Sequence, residues 1–406
     1  MKKIRVSCAI VISAVVVMIS SGCGLFSGGS QPDLSSPELN ELVKARWTAY
    51  GATREGWTGE FHVYVMTPRG NYFACVTPES GATSAIHFRG ASTTKTFTAA
   101  SIMLLHQQGK LNIDDKITDL IPGSTESYVP NTADYNIPYK DEITIKMVLK
   151  HRAGIWDISN TAIPATAEPA YRGKFYAYYV MESDPTHTFT FDEMVGVVAT
   201  NELSYFPPDT SYHYSDTGYS MLGKIIERVS GKRYDRFVAE DLLVPNGLMS
   251  TTFPYQGDDN DLPAPLATGY LFSGGAIYEN TQDNMSPHVA EGNVITTLSD
   301  LANWIRKLLR GEAGPNASTV AMMKEGTVEG AYGLGISYVA GLGYGHDGGH
   351  AGYATVAKYD PAQDVTVLIA ASVIDFDNLV PYYHYLHDMG RAAKNILGYS
   401  TAEAGS

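Results

Sequence analysis

A serine and a lysine stand three residues apart at Ser92 and Lys95, just before the helix-compatible stretch from Thr96 to Gln108. Residues at that spacing lie on one face of a helix, so a first helical turn would bring the two side chains together. A serine hydroxyl is a weak nucleophile until a neighbouring base takes its proton, and a lysine can be that base if burial lowers its pKa toward neutrality. Backbone N–H groups at the helix N-terminus would also stabilise an oxyanion. The alternative interpretation is a helix cap followed by a surface lysine.

Two further motifs carry groups that could complete such a site. The run Tyr214 to Asp216 stands ahead of an amphipathic segment. A tyrosine next to a lysine cation can be held partly ionised and relay protons to a leaving group, although a tyrosine-rich turn before a helix is the simpler interpretation. The run His346 to Gly349 precedes a strand-like stretch. There a backbone N–H on an edge strand could complete an oxyanion hole, and glycine would let a substrate approach closely.

Strand-like segments near both ends of the chain predict two hairpins, one over residues 61–66 and 72–76 and one over residues 353–359 and 365–373. Helices are predicted in the middle and at the end of the chain, from apolar spacing and capping residues. They are one helix capped by Ser299, one over residues 219–229 that ends at Gly231, and a last one from about Pro381 to Leu397. The simplest assembly is one antiparallel sheet built from both chain ends, a central helical lobe, and a cleft between them.

The three motifs occur in the order, and at about the separations, found in the serine β-lactamase and DD-peptidase superfamily. The chain most resembles the class C β-lactamase and DD-carboxypeptidase branch, over roughly residues 40 to 397. Flanking segments that share the resemblance are Leu111 to Asp115, Ile143 to Ile145, His151 to Gly154, Phe206 to Asp209, Pro245 to Met249 and Tyr332 to Gly335. The resemblance implies an α/β (α+β) fold of the β-lactamase/transpeptidase type, with a sheet lobe at about 55–90 and 325–400 and a mainly helical lobe at about 91–324.

The resemblance also implies a reaction and a role for each motif residue. The reaction is cleavage of an amide or ester through an acyl-enzyme, without metal or cofactor, on a D-amino-acid peptide or peptidoglycan-related substrate, as in a D-Ala-D-Ala carboxypeptidase. Esterase, D-aminopeptidase or amidase, and β-lactamase activities are the alternatives within the fold. The implied roles are nucleophile for Ser92, base for Lys95, proton shuttle for Tyr214, substrate contacts for Asp216, His346, Asp347 and Gly348, and an oxyanion hole shared by Ser92 and Gly349.

Two motif positions depart from this pattern. Asp216 stands where asparagine is common, and Asp347 stands where a threonine helps carboxypeptidase-like relatives to hold the terminal carboxylate of the substrate. An ionised carboxylate at contact distance would repel that group. The departures therefore predict poor handling of β-lactams and free D-Ala-D-Ala ends, and a preference for an ester, an amide or a substrate with a free amine. In the alternative, one or both aspartates point away or pair with a nearby cation.

The N-terminus reads as an export signal. Lys2, Lys3 and Arg5 precede the apolar run Val6 to Ile19, and small residues lead to Cys23, which resembles a bacterial lipoprotein signal. This pattern predicts a signal over residues 1–22, lipidation of Cys23, a flexible tether over residues 23–38 and a hydrolase domain over residues 39–400. Ordinary signal cleavage beside an incidental cysteine is the alternative. Either outcome predicts an exported protein, held at the cell membrane as a lipoprotein or released to the periplasm or the exterior.

The net charge of the chain limits the kinds of partner that it can bind. The formal net charge is −14, and no basic stretch follows the first few residues, which disfavours nucleic-acid binding. The expected partner is a small-molecule or peptide substrate, with membrane contact only through the lipid anchor.

Two other classes of protein compete with a serine hydrolase. A metal hydrolase could use His346, Asp347 and His350, or His384 and His387, but the glycines that follow Asp347 disfavour the helix on which a zinc-binding histidine pair usually stands. His384 and His387 are expected to lie on the surface of the last helix. A non-catalytic envelope sensor could share the fold, but it would not need the nucleophile, base and shuttle together.

Overall fold

The computed structural model describes residues 33–77 and 82–402, and strands near the two ends of this stretch form one sheet. In chain order the strands are β1 (Phe61–Thr67), β2 (Gly70–Val76), β3 (His87–Ala91), β4 (Tyr270–Ser273), β5 (Ala276–Glu279), β6 (Val294–Thr297), β7 (Ser337–Val339), β8 (Gly343–His350), β9 (Tyr353–Asp360), β10 (Val365–Ala371) and β11 (Val373–Asp375). The large sheet has the order β2-β1-β10-β9-β8-β7, and each neighbouring pair is antiparallel. The predicted sheet built from both chain ends, with both of its hairpins, is confirmed.

Most of the helices lie between β3 and β7, and the first and last helices pack against the large sheet. In chain order they are α1 (Pro37–Gly51), α2 (Thr94–Gln107), α3 (Ile145–Leu149), α4 (Tyr176–Met181), α5 (Phe191–Thr200), α6 (Asp216–Ser230), α7 (Tyr234–Val238), α8 (Val244–Asn246), α9 (Leu298–Arg310), α10 (Ala317–Lys324) and α11 (Leu379–Ile396). As predicted, α6 ends at Gly231, which has a φ of 70°. The predicted cap of α9 is wrong by two residues, because the Thr297 side chain and not Ser299 accepts the Asp300 N–H.

Both faces of the large sheet are buried. Along β1, Val63 and Val65 belong to an apolar core under α1 and α11, whereas Tyr64 belongs to the core shared with the helical region. Because side chains alternate across a strand, one strand supplies both cores. The alternation seen in the sequence therefore separates two buried faces, not a buried face from a solvent face.

Several predicted N-terminal features lie outside the described residues. These are the signal over residues 1–22, Cys23, and most of the tether over residues 23–38. From residue 33 the chain is packed, because Leu34 pairs with β2 and α1 begins at Pro37. Within the described ranges, no helix is both long enough and apolar enough to cross a membrane.

Four segments meet at one cleft: the connection from β3 to α2, the residues just before α6, the residues just before β6, and the second half of β8. Pairing between β7 and β8 ends at Gly345, so the rest of β8 is a sheet edge. This edge lies beside the end of β3, whose only strand partner is β6 within the described residues.

Candidate active site

The end of β3 places Ser92 at a backbone bend just before α2. Ala91 has a φ of 49°, a left-handed conformation that is uncommon for a residue with a side chain. Because α2 begins at Thr94, Ser92 precedes the helix by two residues instead of lying within its first turn. The bend still aims Ser92 at Lys95, whose Nζ lies 3.2 Å from the Ser92 Oγ. Strained backbone of this kind persists where the surrounding structure enforces it, most often at functional sites.

The Lys95 ammonium is fully buried, and it has an oxygen neighbour for each of its three hydrogens. Its Nζ lies 3.2 Å from Ser92 Oγ, 2.6 Å from Asp216 Oδ1 and 2.7 Å from the backbone oxygen of Glu291. The Glu291 carboxylate adds a second negative group, with Oε2 3.6 Å from Nζ. The lysine is therefore held beside the serine by two acidic residues.

These acids change the expected state of Lys95. Burial acts to lower the pKa of Lys95, as the sequence analysis assumed, but the charges of Asp216 and Glu291 outweigh burial and raise that pKa above its ordinary value. The expectation of a lysine brought to neutrality by burial is wrong. Lys95 rests as an ammonium and must lose a proton before it can take one from Ser92.

Tyr214 lies against both members of the pair. Its ring centre is 4.8 Å from Lys95 Nζ, and its hydroxyl hydrogen-bonds to Ser92. Burial and the charge of Asp216 raise the pKa of Tyr214 well above its ordinary value, and the hydrogen bond to Ser92 offsets only part of this effect. The expectation of a partly ionised tyrosine is therefore wrong. Tyr214 is a neutral hydroxyl, placed where it can pass a proton.

A buried histidine that the sequence analysis gave no role fixes the position of Tyr214. His151 has a φ of 56°, and its Nδ1 accepts a hydrogen bond of 3.1 Å from the backbone N–H of Ser215. The His151 ring lies 4.2 Å from the Tyr214 ring. Since Nδ1 accepts, the proton is on Nε2, and burial lowers the pKa of His151 well below its ordinary value, so the ring is neutral.

Asp216 belongs to a group of acids on the floor of the cleft. Its Oδ2 accepts a hydrogen bond of 2.6 Å from the Asn160 amide, and the same amide donates to Asp157 Oδ2 at 2.9 Å. Burial, followed by the charge of Asp216, raises the pKa of Asp157 to about 7. Asp216 therefore contacts Lys95 and not open solvent, which matches the alternative in which an aspartate pairs with a cation.

Glu291 is the acid that the sequence analysis missed. It is 2% exposed, and its Oε1 lies 2.5 Å from Nδ1 of His288, while its Oε2 faces Lys95. The segment is strained, since Ala290 has a φ of 70° and its backbone oxygen accepts a 2.5 Å hydrogen bond from Thr98 Oγ1. Two successive carbonyls thus contact α2, those of Ala290 and Glu291. No local pattern announces this contact, because 196 residues separate Glu291 from Lys95.

His346 lies in the cleft as a neutral ring. Its Nδ1 contacts the backbone oxygen of Asp347, which can only accept, so Nδ1 carries the proton. Its Nε2 then accepts a hydrogen bond of 2.7 Å from the Tyr332 hydroxyl. Burial, with the charges of Lys95 and Lys358, lowers the pKa of His346 to about 3. His346 therefore offers no positive charge to a substrate near neutral pH.

Asp347 turns its carboxylate away from the acylation site, toward the face of the sheet that α11 covers. Its Oδ1 lies 3.2 Å from the buried ammonium of Lys358, and its Oδ2 lies 3.0 Å from His387 Nε2. Partial burial acts to raise the pKa of Asp347, but the Lys358 charge and the His387 hydrogen bond hold it well below its usual range. The expectation that His387 simply covers the helix surface is wrong, whereas His384 is exposed.

Glycine lets the edge of β8 approach the bend at Ser92. A Cβ at Gly348 would lie 2.2 Å from the backbone oxygen of Gly90, so no other residue fits there without movement of the backbone. The Gly348 carbonyl accepts a hydrogen bond of 2.5 Å from Tyr383, and Gly349 lies beside the same ring. The strand that carries the predicted oxyanion residue Gly349 is thus fixed next to the bend at Ser92.

The cleft around these groups has a volume of about 730 Å³. Of the predicted site residues, it is lined by Ser92, Tyr214, Asp216, His346, Asp347, Gly348 and Gly349, with Lys95 buried beneath. Among the described residues that line it there are four acids and four histidines but no lysine or arginine. Within the described ranges, no group of three or more histidine, cysteine or acidic side chains is arranged to hold a metal ion.

Comparison with known proteins finds the same architecture elsewhere. The family model described as Beta-lactamase matches residues 56–374. Penicillin-binding protein 4* of Bacillus subtilis (strain 168) is 31% identical over 165 residues, which is 40% of this chain and 30% of that protein. The chain therefore spans less than a third of the length of this curated relative.

Solved structures match over more of the chain. D-amino acid amidase from Ochrobactrum anthropi SV3 has a TM-score of 0.69 and 20% identity, and the match covers 89% of this chain and 100% of that one. D-stereospecific amidohydrolase from Streptomyces sp. has a TM-score of 0.66 and 23% identity, with 82% and 94% covered. At these identities the structures establish the fold.

Proposed function

Since this chain belongs to the Beta-lactamase family, whose members include serine hydrolases, we propose that it hydrolyses an amide or ester through an acyl-enzyme on Ser92. The observation that carries the proposal is the contact of 3.2 Å between Ser92 Oγ and Lys95 Nζ. The Tyr214 hydroxyl is hydrogen-bonded to the same serine. A nucleophile, a base and a proton shuttle thus meet at the floor of one cleft. The presence of all three groups disfavours a non-catalytic envelope sensor.

The proposed acylation begins when the Lys95 ammonium loses one proton to the solvent in the cleft, which leaves a neutral amine beside Ser92. Neutral Lys95 then takes the Ser92 proton as Oγ bonds to the substrate carbonyl carbon, and the carbonyl electron pair moves onto oxygen. The backbone N–H groups of Ser92 and Gly349 are the proposed oxyanion hole. Collapse of this intermediate expels the leaving amine or alkoxide, which receives a proton by way of Tyr214. Water then hydrolyses the acyl-enzyme.

The charges in the cleft support a substrate without a carboxylate beside the scissile bond. A carboxylate needs a cation or several donors, yet among the described residues no lysine or arginine lines the cleft, and His346 is neutral. The direct repulsion by Asp347 that the sequence predicted is weakened, because Lys358 and His387 balance that carboxylate. Poor carboxylate binding is therefore proposed on a different ground, which is the lack of an anchoring cation.

The mouth of the cleft supports an apolar side chain on the substrate. Tyr178, Phe376 and Leu379 line it and are 56%, 44% and 39% exposed. Burial of such surface by a ligand is favourable. Together with the fold shared with two D-amino-acid-directed amidohydrolases, this supports amides or esters of bulky apolar D-amino acids as substrates, in place of the D-Ala-D-Ala carboxypeptidase reaction.

A panel of matched substrates tests this proposal. We expect D-phenylalanine amide and D-phenylalanine methyl ester to be hydrolysed. We also expect kcat/KM for acetyl-D-Ala-D-Ala-carboxamide to be at least about tenfold higher than for the same peptide with a free carboxylate, which corresponds to about 1.4 kcal/mol. The S92A variant should be inactive on all of them. Faster release of D-Ala from the free acid than from the carboxamide would overturn the substrate assignment, and a chromogenic cephalosporin tests β-lactamase activity in the same assay.

The location of the enzyme is part of the proposal. The signal-like residues 1–22 and the candidate lipidation site Cys23 support an exported, membrane-anchored enzyme. Radiolabelled palmitate should be incorporated by the full chain and not by a C23A variant. Release of an unlabelled mature chain would instead support ordinary signal cleavage.

A further inference from the structure

Two carboxylates share the single ammonium of Lys95, and they do so in different ways. Both oxygens of Asp216 are in use, because Oδ1 lies 2.6 Å from Lys95 and Oδ2 accepts from Asn160. Glu291 is turned differently. His288 holds its Oε1 at 2.5 Å, and its Oε2 faces Lys95 at 3.6 Å, beyond hydrogen-bonding distance. Glu291 therefore acts on Lys95 through its charge more than through a hydrogen bond.

The Glu291 carboxylate is held rigidly in this place. Its backbone oxygen accepts from Lys95 at 2.7 Å, and the preceding Ala290 is fixed in a left-handed conformation against Thr98. Its side chain is almost completely buried, so water screens its charge little. A fixed, unscreened carboxylate close to an ammonium favours the charged form of that ammonium.

Other ionisable groups surround Lys95 and Glu291, and they are the same in the wild type and in a variant at Glu291. Those that face Lys95 besides the two carboxylates are His151, Tyr212, Tyr214, Tyr219, Tyr234 and His346. Those that face Glu291 besides Lys95 are Asp157, Asp216, Tyr214, Tyr234 and His288. The tyrosines are neutral near pH 7, and the acids reinforce the effect of Glu291 on Lys95.

We propose that Glu291, held by His288, is a positioning residue that sets the working pH of the enzyme by holding Lys95 in its ammonium form at rest. The inference rests on the proposed function, because it matters only if Lys95 must become neutral to activate Ser92. The rate of Ser92 acylation then rises with pH as Lys95 loses its proton. Each negative neighbour moves that rise to higher pH, so the loss of Glu291's charge moves it to lower pH.

The test is the rate at which a fluorophosphonate probe labels Ser92, measured from pH 5 to pH 10 for the full chain. In E291Q we expect the rising limb of the profile to move about one pH unit lower, which increases the rate at pH 7 on the order of tenfold. E291D keeps the charge and should stay close to the wild type. E312Q removes an exposed carboxylate that pairs with Arg310 and does not contact Lys95, so its profile should not move.

The outcomes separate this inference from the proposed function. No labelling of Ser92 in the wild type at any pH would defeat the proposed function itself. If Ser92 is labelled but the rising limb of the pH profile of E291Q coincides with that of the wild type, the inference about Glu291 is overturned and the proposed function is not. A uniform loss at all pH values would also overturn it, because it would mean that Glu291 carries the proton or supports the fold. E291S is a second neutral variant, and thermal unfolding checks that each variant is folded.

Discussion

The second and third motifs each contain an aspartate, Asp216 and Asp347, yet the two lie in opposite environments. The inner corner of the cleft comprises Asp216, Asp157 and Glu291 around Lys95. The outer corner comprises Asp347 with Lys358 and His387. Asp216 contacts the ammonium beside the nucleophile, at 2.6 Å, whereas Asp347 points to the far face of the sheet. The same residue type thus contacts the proposed catalytic base in one corner and joins the sheet to α11 in the other.

The balance of charges explains the difference. In the inner corner two carboxylates, those of Asp216 and Glu291, share one ammonium, with Asp157 beside them, and burial with mutual repulsion raises the pKa of Asp157 and of Glu291. In the outer corner one carboxylate has an ammonium and an imidazole, and its pKa is held low. An excess of buried acids can shift the pKa of a neighbouring base, whereas a balanced buried pair is costly to break because one charge is left without a partner.

The largest effect is expected from removal of the inner ammonium. K95M should lower kcat on the order of a thousandfold, because general base catalysis of this kind contributes about 10² to 10⁴ in rate. Steady-state kinetics on a D-amino-acid amide measures it. K110M, which removes an exposed lysine, is the control and should change nothing. Comparable loss in both variants would contradict the role of Lys95.

The second largest effect is expected in the free energy of unfolding, which should respond differently to a substitution in the inner corner and to one in the outer corner. D347N should lower the free energy of unfolding by about 3 kcal/mol, because it leaves the fully buried Lys358 without its carboxylate. D216N should cost less than about 1 kcal/mol, because Glu291 still faces Lys95 and one of three crowded acids is gone. Denaturant unfolding at pH 7 measures both. An equal cost for the two variants would mean that the corners are not electrostatically different.

The smallest effect is a difference in pH dependence. The pKa of Asp157 is raised to about 7 in the folded protein. The cost of ionising this buried group is therefore absent below about pH 4, and stability falls as the pH rises from about 4 to about 7. Asp347, with a depressed pKa, behaves in the opposite way: its stabilisation is present above pH 4 and is lost as the pH falls further. D157N should therefore stabilise the fold on the order of 2 kcal/mol at pH 8 and much less at pH 4. Equal gains at both pH values would refute this assignment.

The sequence predicted what depends on local pattern. Both hairpins, the end of α6 at Gly231 and the approach of Ser92 to Lys95 follow from spacing and turn residues, and the family resemblance added the sheet and the cleft. The direction of Asp347 did not follow, because strand alternation separates it from His346 without indicating which face lies toward the cleft.

Contacts between distant segments explain the other errors. The sequence analysis assumed that burial alone sets the pKa of Lys95, but Glu291 reaches it from 196 residues away. Asp157 and His151 likewise act through segments that meet only in the folded chain. The acids around a buried base decide its state, and their positions come from tertiary packing.

The most direct test of the central assignment is the mass of the covalent adduct formed with a fluorophosphonate probe, located by peptide mapping. We predict a single adduct on the peptide that contains Ser92, complete loss of labelling in S92A, and labelling in K95M slowed in step with its kcat. An adduct on a different residue, or hydrolysis by S92A at the wild-type rate, would contradict the assignment of Ser92 as the nucleophile.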